Sequence, residues 1–187
     1  LGKYKIKKQI NGWRKIDMKY YCIKQHDITD CGAACLATIC RQNGYKIGIS
    51  KIREVAGTDK QGTNAYGVIK AAEQLGFSAK GVKGDKEAFF SEFPLPCIAH
   101  VIVDGALLHY VVIHKITKKT VVIADPGEGI VKLTPEEFFG EVHDEGKLPK
   151  YQWSGILILL VKRLKYINEK DVSDCRSWRR NCKTYHG

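Results

Sequence analysis

The stretch "KQHDITDCGAACLATICRQNG", residues 24–44, places a nucleophile where a helix is about to begin. Cys31 follows Asp30, precedes Gly32, and has Gln25 six residues upstream. The first backbone N–H groups of a helix lack intrahelical partners, and its dipole is positive there, so a thiolate is favoured at that position. Gly32 is expected to leave the first turn open to the close approach of a substrate backbone. A helix meant only for packing needs none of these features. A lone cysteine is nevertheless most often a small core residue. The nucleophilic reading of Cys31 therefore depends on a base within reach and on an acid that orients it.

Six histidines are available. His26 is too close along the chain to fold back comfortably, His143 sits in a charged loop, and His186 lies near the C-terminus. His100, His109 and His114 fall on predicted strands. His109 opens "HYVVIHK", and the next predicted strand ends in Asp125, where Pro126 and Gly127 break it. A hairpin turning near Lys118 brings these two strand ends to one edge of the sheet. Asp125 can then accept a hydrogen bond from one ring nitrogen of His109 and leave the other for Cys31. His114 has the opposite parity and faces the other side. The backbone N–H of Cys31 and the side-chain amide of Gln25 are candidate donors for the oxyanion of an acyl-transfer reaction. Asp30 reads as a helix cap and Asp27 as a brace for the loop.

These side chains need a scaffold of helices followed by strands. The spacing predicts a helix over 31–43 stopped by Gly44, a short helix capped by Ser50 and ending at Gly57, and a helix capped by Thr63 or Asn64 and closed by Gly76. From "FSAKGVK" onward the period changes. "CIAHVIV", "LLHYVVIHKI" and "TVVIADP" are rich in β-branched residues, with "VDGA" and "TKKT" as hairpin-length turns. Asp85 caps a short helix, "TPEE" at 134–137 is a capping box with proline at the first helical position, and "WSGILILLV" is a last strand. The expected class is α+β in two lobes, an N-terminal helical lobe and a C-terminal antiparallel sheet.

Composition narrows the alternatives. Of 187 residues 44% are hydrophobic, enough for one domain with a proper core. The longest apolar run, "GILILLV", is far short of the roughly 20 residues that span a bilayer. No secretory signal is legible at the N-terminus. The formal charge of +11 is concentrated in residues 1–19 and beyond 162, which reads as solvated basic flanks. Nucleic-acid binding would need an aromatic-lined basic face, which these flanks lack. The seven cysteines form no CxxC pair and no spaced Cys/His ligand set, which points to reduced thiols and no metal. The expected organisation is a basic extension over 1–18, with Met18 as a candidate internal start, one domain over 19–162, and a basic tail over 163–187.

The motifs "QHDITDCGAACL", "GTNAYGVIKAAEQLGF", "PCIAHVIVDGALLHYVVI" and "VVIADPGEGI", in that order, resemble the C39 peptidase domain, a papain-like cysteine protease of peptide-exporting ABC transporters. The resemblance covers roughly residues 20–161. It implies Cys31 as nucleophile, His109 as general base, Asp125 as orienter and Gln25 as oxyanion donor. It implies cleavage after a Gly-Gly pair at the end of a bacteriocin-like or pheromone leader, at the cytoplasmic face of the membrane and without a cofactor. The partners implied are the leader-bearing precursor and the membrane and ATPase domains of an exporter, in cis or in trans. No Walker A loop is present, so the chain reads as an excised domain or a truncated product. A leader's apolar helix face would dock on an exposed apolar surface, with Tyr66, Ile69 and Leu75 as candidates. The alternative is a leader-docking module without catalysis.

Overall fold

The computed structural model describes residues 19–60, 62–142 and 146–163. The basic extension, Met18, His143, the tail and His186 lie outside the described residues. Three helices come first: α1 (Cys31–Gln42), α2 (Ile49–Ala56) and α3 (Ala65–Gln74). Six strands follow: β1 (Phe77–Lys83), β2 (Cys97–Val103), β3 (Leu107–Ile116), β4 (Val121–Asp125), β5 (Gly129–Leu133) and β6 (Tyr151–Lys162). Two short helices, α4 (Lys86–Phe89) and α5 (Pro135–Phe139), are set between them.

The strands form one sheet in the order β1-β6-β2-β3-β4-β5, antiparallel at every pairing. Side chains alternate across a strand, so this sheet has two apolar faces and each needs a cover. On one face Ile98, Val112, Ala124 and Ile158 pack with Leu36, Ile39, Ile52 and Val68 of the helices. On the other Val101, Val111, Ile113 and Ile123 pack with Phe89 of α4 and Phe138 of α5. β4 is buried along its whole length because both faces are covered. α1 is buried from Cys31 to Cys40, lying between the sheet and the other two helices.

The helix and strand spans follow the sequence closely, with three corrections. The N-cap of α2 is Gly48, and Ser50 lies inside the helix. β5 was not anticipated, since "GIVKL" is short and carries a lysine at its fourth position. β6 begins at Tyr151, two residues before the expected start. The cap of α3 is Asn64, which accepts from the Gly67 N–H, and the capping box at Thr134 is complete in both directions.

Candidate active site

A single 3₁₀ turn, Ile28–Asp30, feeds the chain into α1. Asp27 holds that turn by accepting hydrogen bonds from the Thr29 backbone N–H at 2.9 Å and its hydroxyl at 3.1 Å. Asp30 occupies the cap position of α1, yet its side chain makes no cap hydrogen bond. It is buried and pairs with Arg53 of α2 instead. Cys31 is thereby the first residue of α1, at a helix start tied to the neighbouring helix, with 8% of its surface exposed.

The preceding segment joins both halves of the site. The Ile23 N–H donates to Thr38 Oγ1 of α1 at 2.9 Å. Three consecutive carbonyls at the exit of β4 accept from the same segment: Asp125 from Cys22 Sγ at 3.3 Å, Pro126 from the Gln25 N–H at 3.1 Å, and Gly127 from Lys24 Nζ at 2.6 Å. Gln25 is fixed through its backbone while its side chain remains available. Its Oε1 is buried without a partner, and the residue lines a cavity of about 730 Å³ together with His109, Asp125 and Tyr151.

The β2–β3 hairpin turns through Asp104 and Gly105, both with positive φ, and delivers His109 near the start of β3. In the β3–β4 ladder Val112 stands opposite Ala124, which sets His109 and Asp125 diagonally on one face of the sheet. His109 Nε2 meets Asp125 Oδ1 at 2.9 Å. The Cys31 thiol lies near enough to the imidazole to raise its proton affinity. Burial alone would lower the imidazole pKa. The hydrogen bond with Asp125, its carboxylate charge and the neighbouring Cys31 thiol outweigh it, and His109 is pushed up to about 9. Burial likewise works against the Asp125 carboxylate, but donors from His109, Tyr151 and the Gly127 N–H bring it down to about 2. The arrangement can hold a proton on the imidazole between a carboxylate and a thiol, which is the requirement of nucleophilic acyl transfer.

The other histidines stand apart. His114 bonds the Tyr21 carbonyl at 2.9 Å and stacks on Tyr20, on the opposite face as its parity requires. His100 is held by Ser154 at 2.8 Å, and His26 is exposed. The remaining described cysteines are structural. Cys35, one turn along from Cys31, donates to the Tyr110 carbonyl at 3.2 Å, and Cys40 and Cys97 are fully buried. The expectation for Gly32 is corrected: a Cβ there would meet Thr63 Cβ and Val68 Cγ2 at 3.1 Å, so its missing side chain admits α3 and not a substrate. Of the three candidate docking residues only Tyr66 is well exposed, while Ile69 and Leu75 pack against the helical core. Sequence reasoning missed Tyr151, whose hydroxyl donates to Asp125 Oδ2 at 2.7 Å. A tyrosine opening a strand carries no chemical signature of its own.

Comparison with known proteins places the chain in a family. The chain is 39% identical over 145 residues to the lactococcin-G-processing and transport ATP-binding protein LagD of Lactococcus lactis subsp. lactis, covering 77% of this chain and 19% of that protein. It is similar to the crystal structure of the peptidase domain of Streptococcus ComA, a bifunctional ABC transporter involved in quorum sensing, with 30% identity and a TM-score of 0.66 over 78% of this chain and all of that one. It is also similar to a double glycine motif protease from an AMS/PCAT transporter in complex with the leader peptide, with 29% identity and a TM-score of 0.65 over 78% of this chain and 94% of that one. The chain spans about a fifth of the length of the curated transporters it matches. The papain-like α+β architecture is therefore that of the ComA and PCAT peptidase domains. The family model described as the peptidase C39 family matches residues 19–165, and the chain belongs to that family of cysteine peptidases.

Proposed function

We propose that this domain removes the leader of a bacteriocin-like or pheromone precursor by cutting after a Gly-Gly pair. The observation that carries the reading is the imidazole of His109, hydrogen-bonded to Asp125 Oδ1 at 2.9 Å, with Cys31 as the first residue of α1 close enough to raise its proton affinity. The thiolate of Cys31 attacks the carbonyl carbon of the second glycine, and the carbonyl π electrons move onto oxygen. The Cys31 N–H and the Gln25 amide hold that oxyanion. Collapse of the intermediate breaks the C–N bond, and the imidazolium of His109 gives its proton to the departing amine. A water molecule, deprotonated by His109, then attacks the thioester and releases the leader as a carboxylate with the thiol restored. Asp125 keeps the imidazole aimed throughout. Nucleophile, base and oxyanion donors all come from the chain, so the reaction calls for no cofactor.

The relatives are processing and transport proteins, which supports a role beside the membrane and ATPase parts of an exporter, at the cytoplasmic face. Among the described residues no helix is long and apolar enough to cross a membrane. The test is cleavage of a precursor whose leader ends in Gly-Gly. The wild-type chain is expected to release the leader, and Cys31→Ala to bind it without cutting. Equal cleavage by Cys31→Ala would overturn the mechanism. Leader binding by the wild type with no cleavage and no selective thiol reactivity would favour the docking module.

A further inference from the structure

Asp125 has two carboxylate oxygens, and only one is occupied by the imidazole. Oδ1 accepts from His109 Nε2 at 2.9 Å and from the Gly127 N–H at 2.7 Å. Oδ2 accepts from the hydroxyl of Tyr151 at 2.7 Å, across the gap between β4 and the start of β6. Tyr151 is among the largest fully buried side chains, with 1% of its surface exposed, and its ring is packed in the core on the far face of the sheet. A phenol so held has one place to put its proton. Burial and the adjacent carboxylate push its own ionisation far above the usual range, so it remains a donor at every pH at which the protein works. Donors on both oxygens stop the carboxylate from turning about its Cβ–Cγ bond. With Oδ2 released, rotation would carry Oδ1 away from the imidazole.

We propose that Tyr151 is a positioning residue for the peptidase reaction, locking the orientation of Asp125 so that His109 stays aimed at Cys31. The proposal rests on the catalytic roles given above, and it makes the site a chain of four side chains spanning α1, β3, β4 and β6. The other ionisable groups facing it are Cys22 before α1, Cys35 of α1, His100 of β2, Asp104 of the β2–β3 turn, Tyr110 of β3, Glu128 of the β4–β5 turn and Lys150 beside the Tyr151 ring. Within this set the pH dependence of Tyr151→Phe reports on the carboxylate–imidazole contact.

The experiment compares the wild type, Tyr151→Phe and Ser154→Ala. Ser154→Ala serves as a control because it removes a hydroxyl on the same strand that bonds His100 and its carbonyl, away from Asp125. Cleavage of a Gly-Gly leader precursor is measured from pH 6 to 10, alongside iodoacetamide alkylation of Cys31 over the same range. In Tyr151→Phe, kcat is expected to fall about tenfold, the scale of one hydrogen bond to a charged group, with KM within about twofold. The alkaline limb is expected to move down by about one pH unit, because an imidazolium without an aligned carboxylate loses its proton sooner. Ser154→Ala should move neither kcat nor the limb. An unmoved limb in Tyr151→Phe would mean that the phenol only fills space. A limb displaced upward would mean that the carboxylate keeps its place and becomes more basic without the hydroxyl. Either result overturns the proposal. Alkylation reads the thiol and imidazole without a substrate, so a chain that fails to cut the precursor would refute the leader-peptidase reading while still deciding the role of Tyr151.

Discussion

The imidazole of His109 gains a proton affinity that burial would otherwise remove, and that gain makes a statement about stability. Its folded value of about 9 lies above the ordinary value near 6.5, so its stabilising contribution is fully present below about 6.5 and is lost as pH rises through about 9. Asp125, brought down to about 2, contributes above the ordinary carboxylate value near 4 and loses its contribution as pH falls through about 2. Thermal melts of the wild type should therefore decline between pH 7 and 10. Asp125→Asn should flatten that decline, because it removes the main cause of the upward displacement, and should lower kcat by about a hundredfold or more through loss of the imidazole's orientation. A decline equally steep in Asp125→Asn would place its origin elsewhere. The thiols divide just as sharply. Burial pushes Cys35 well above the ordinary thiol range and Cys40 up to about 12. Brief iodoacetamide treatment followed by peptide mapping should label Cys31 ahead of Cys35, Cys40 and Cys97, and labelling of a core cysteine first would contradict the assignment.

At the scale of elements, the site depends on how the start of α1 is anchored. Asp30 is buried and its charge partner Arg53 comes from α2, so the turn that presents Cys31 is held by a second helix. Arg53→Ala leaves a buried carboxylate without its cation. The guanidinium is 37% exposed, which screens the pair, so the expected cost is about 2 kcal/mol and not the larger value of a fully buried pair. Adding Asp30→Asn should recover most of that loss in denaturant melts, and failure to recover would mean that Arg53 acts through its packing. The strands and helices that matter were legible because their periods are clean: "LLHYVVIHKI" and "TVVIADP" put His109 and Asp125 at neighbouring strand ends, and the parity of His114 excluded it. What escaped is what periodicity does not encode. Gly32 reads as an opening for substrate until α3 is seen filling it. Tyr151 pairs with Asp125 only because β6 returns to the middle of the sheet, beside β2, a matter of topology that no local pattern records. Asp30 has the residue type of a cap but spends its carboxylate on Arg53, because a salt-bridge partner 23 positions away is invisible to a capping rule.

At the scale of the molecule, the site is made of pieces that are distant in sequence, from Gln25 to Tyr151, and exists only when the helical layer and the sheet are docked. The apolar core on one face of the sheet holds that docking, the core on the other face holds α4 and α5, and the segment of residues 22–25 laces α1 to the exit of β4. Anything that binds the folded arrangement but not the unfolded chain must raise its melting temperature. Cys31→Ala removes the proposed nucleophile and leaves both cores intact, so it is expected to give a stable complex with an uncut leader. At a hundred times its dissociation constant, a Gly-Gly leader peptide should stabilise this variant by about 2.7 kcal/mol. For a domain of this size, that corresponds to a rise of roughly 5–10 °C in Tm. The rise should saturate with peptide and should diminish in Tyr66→Ser, since Tyr66 is the one of the three candidate docking residues that stays well exposed. A peptide that the wild type cleaves but that leaves the Tm of Cys31→Ala unchanged would show that the resting surface does not bind the leader. Recognition would then require a rearrangement of the helical layer against the sheet.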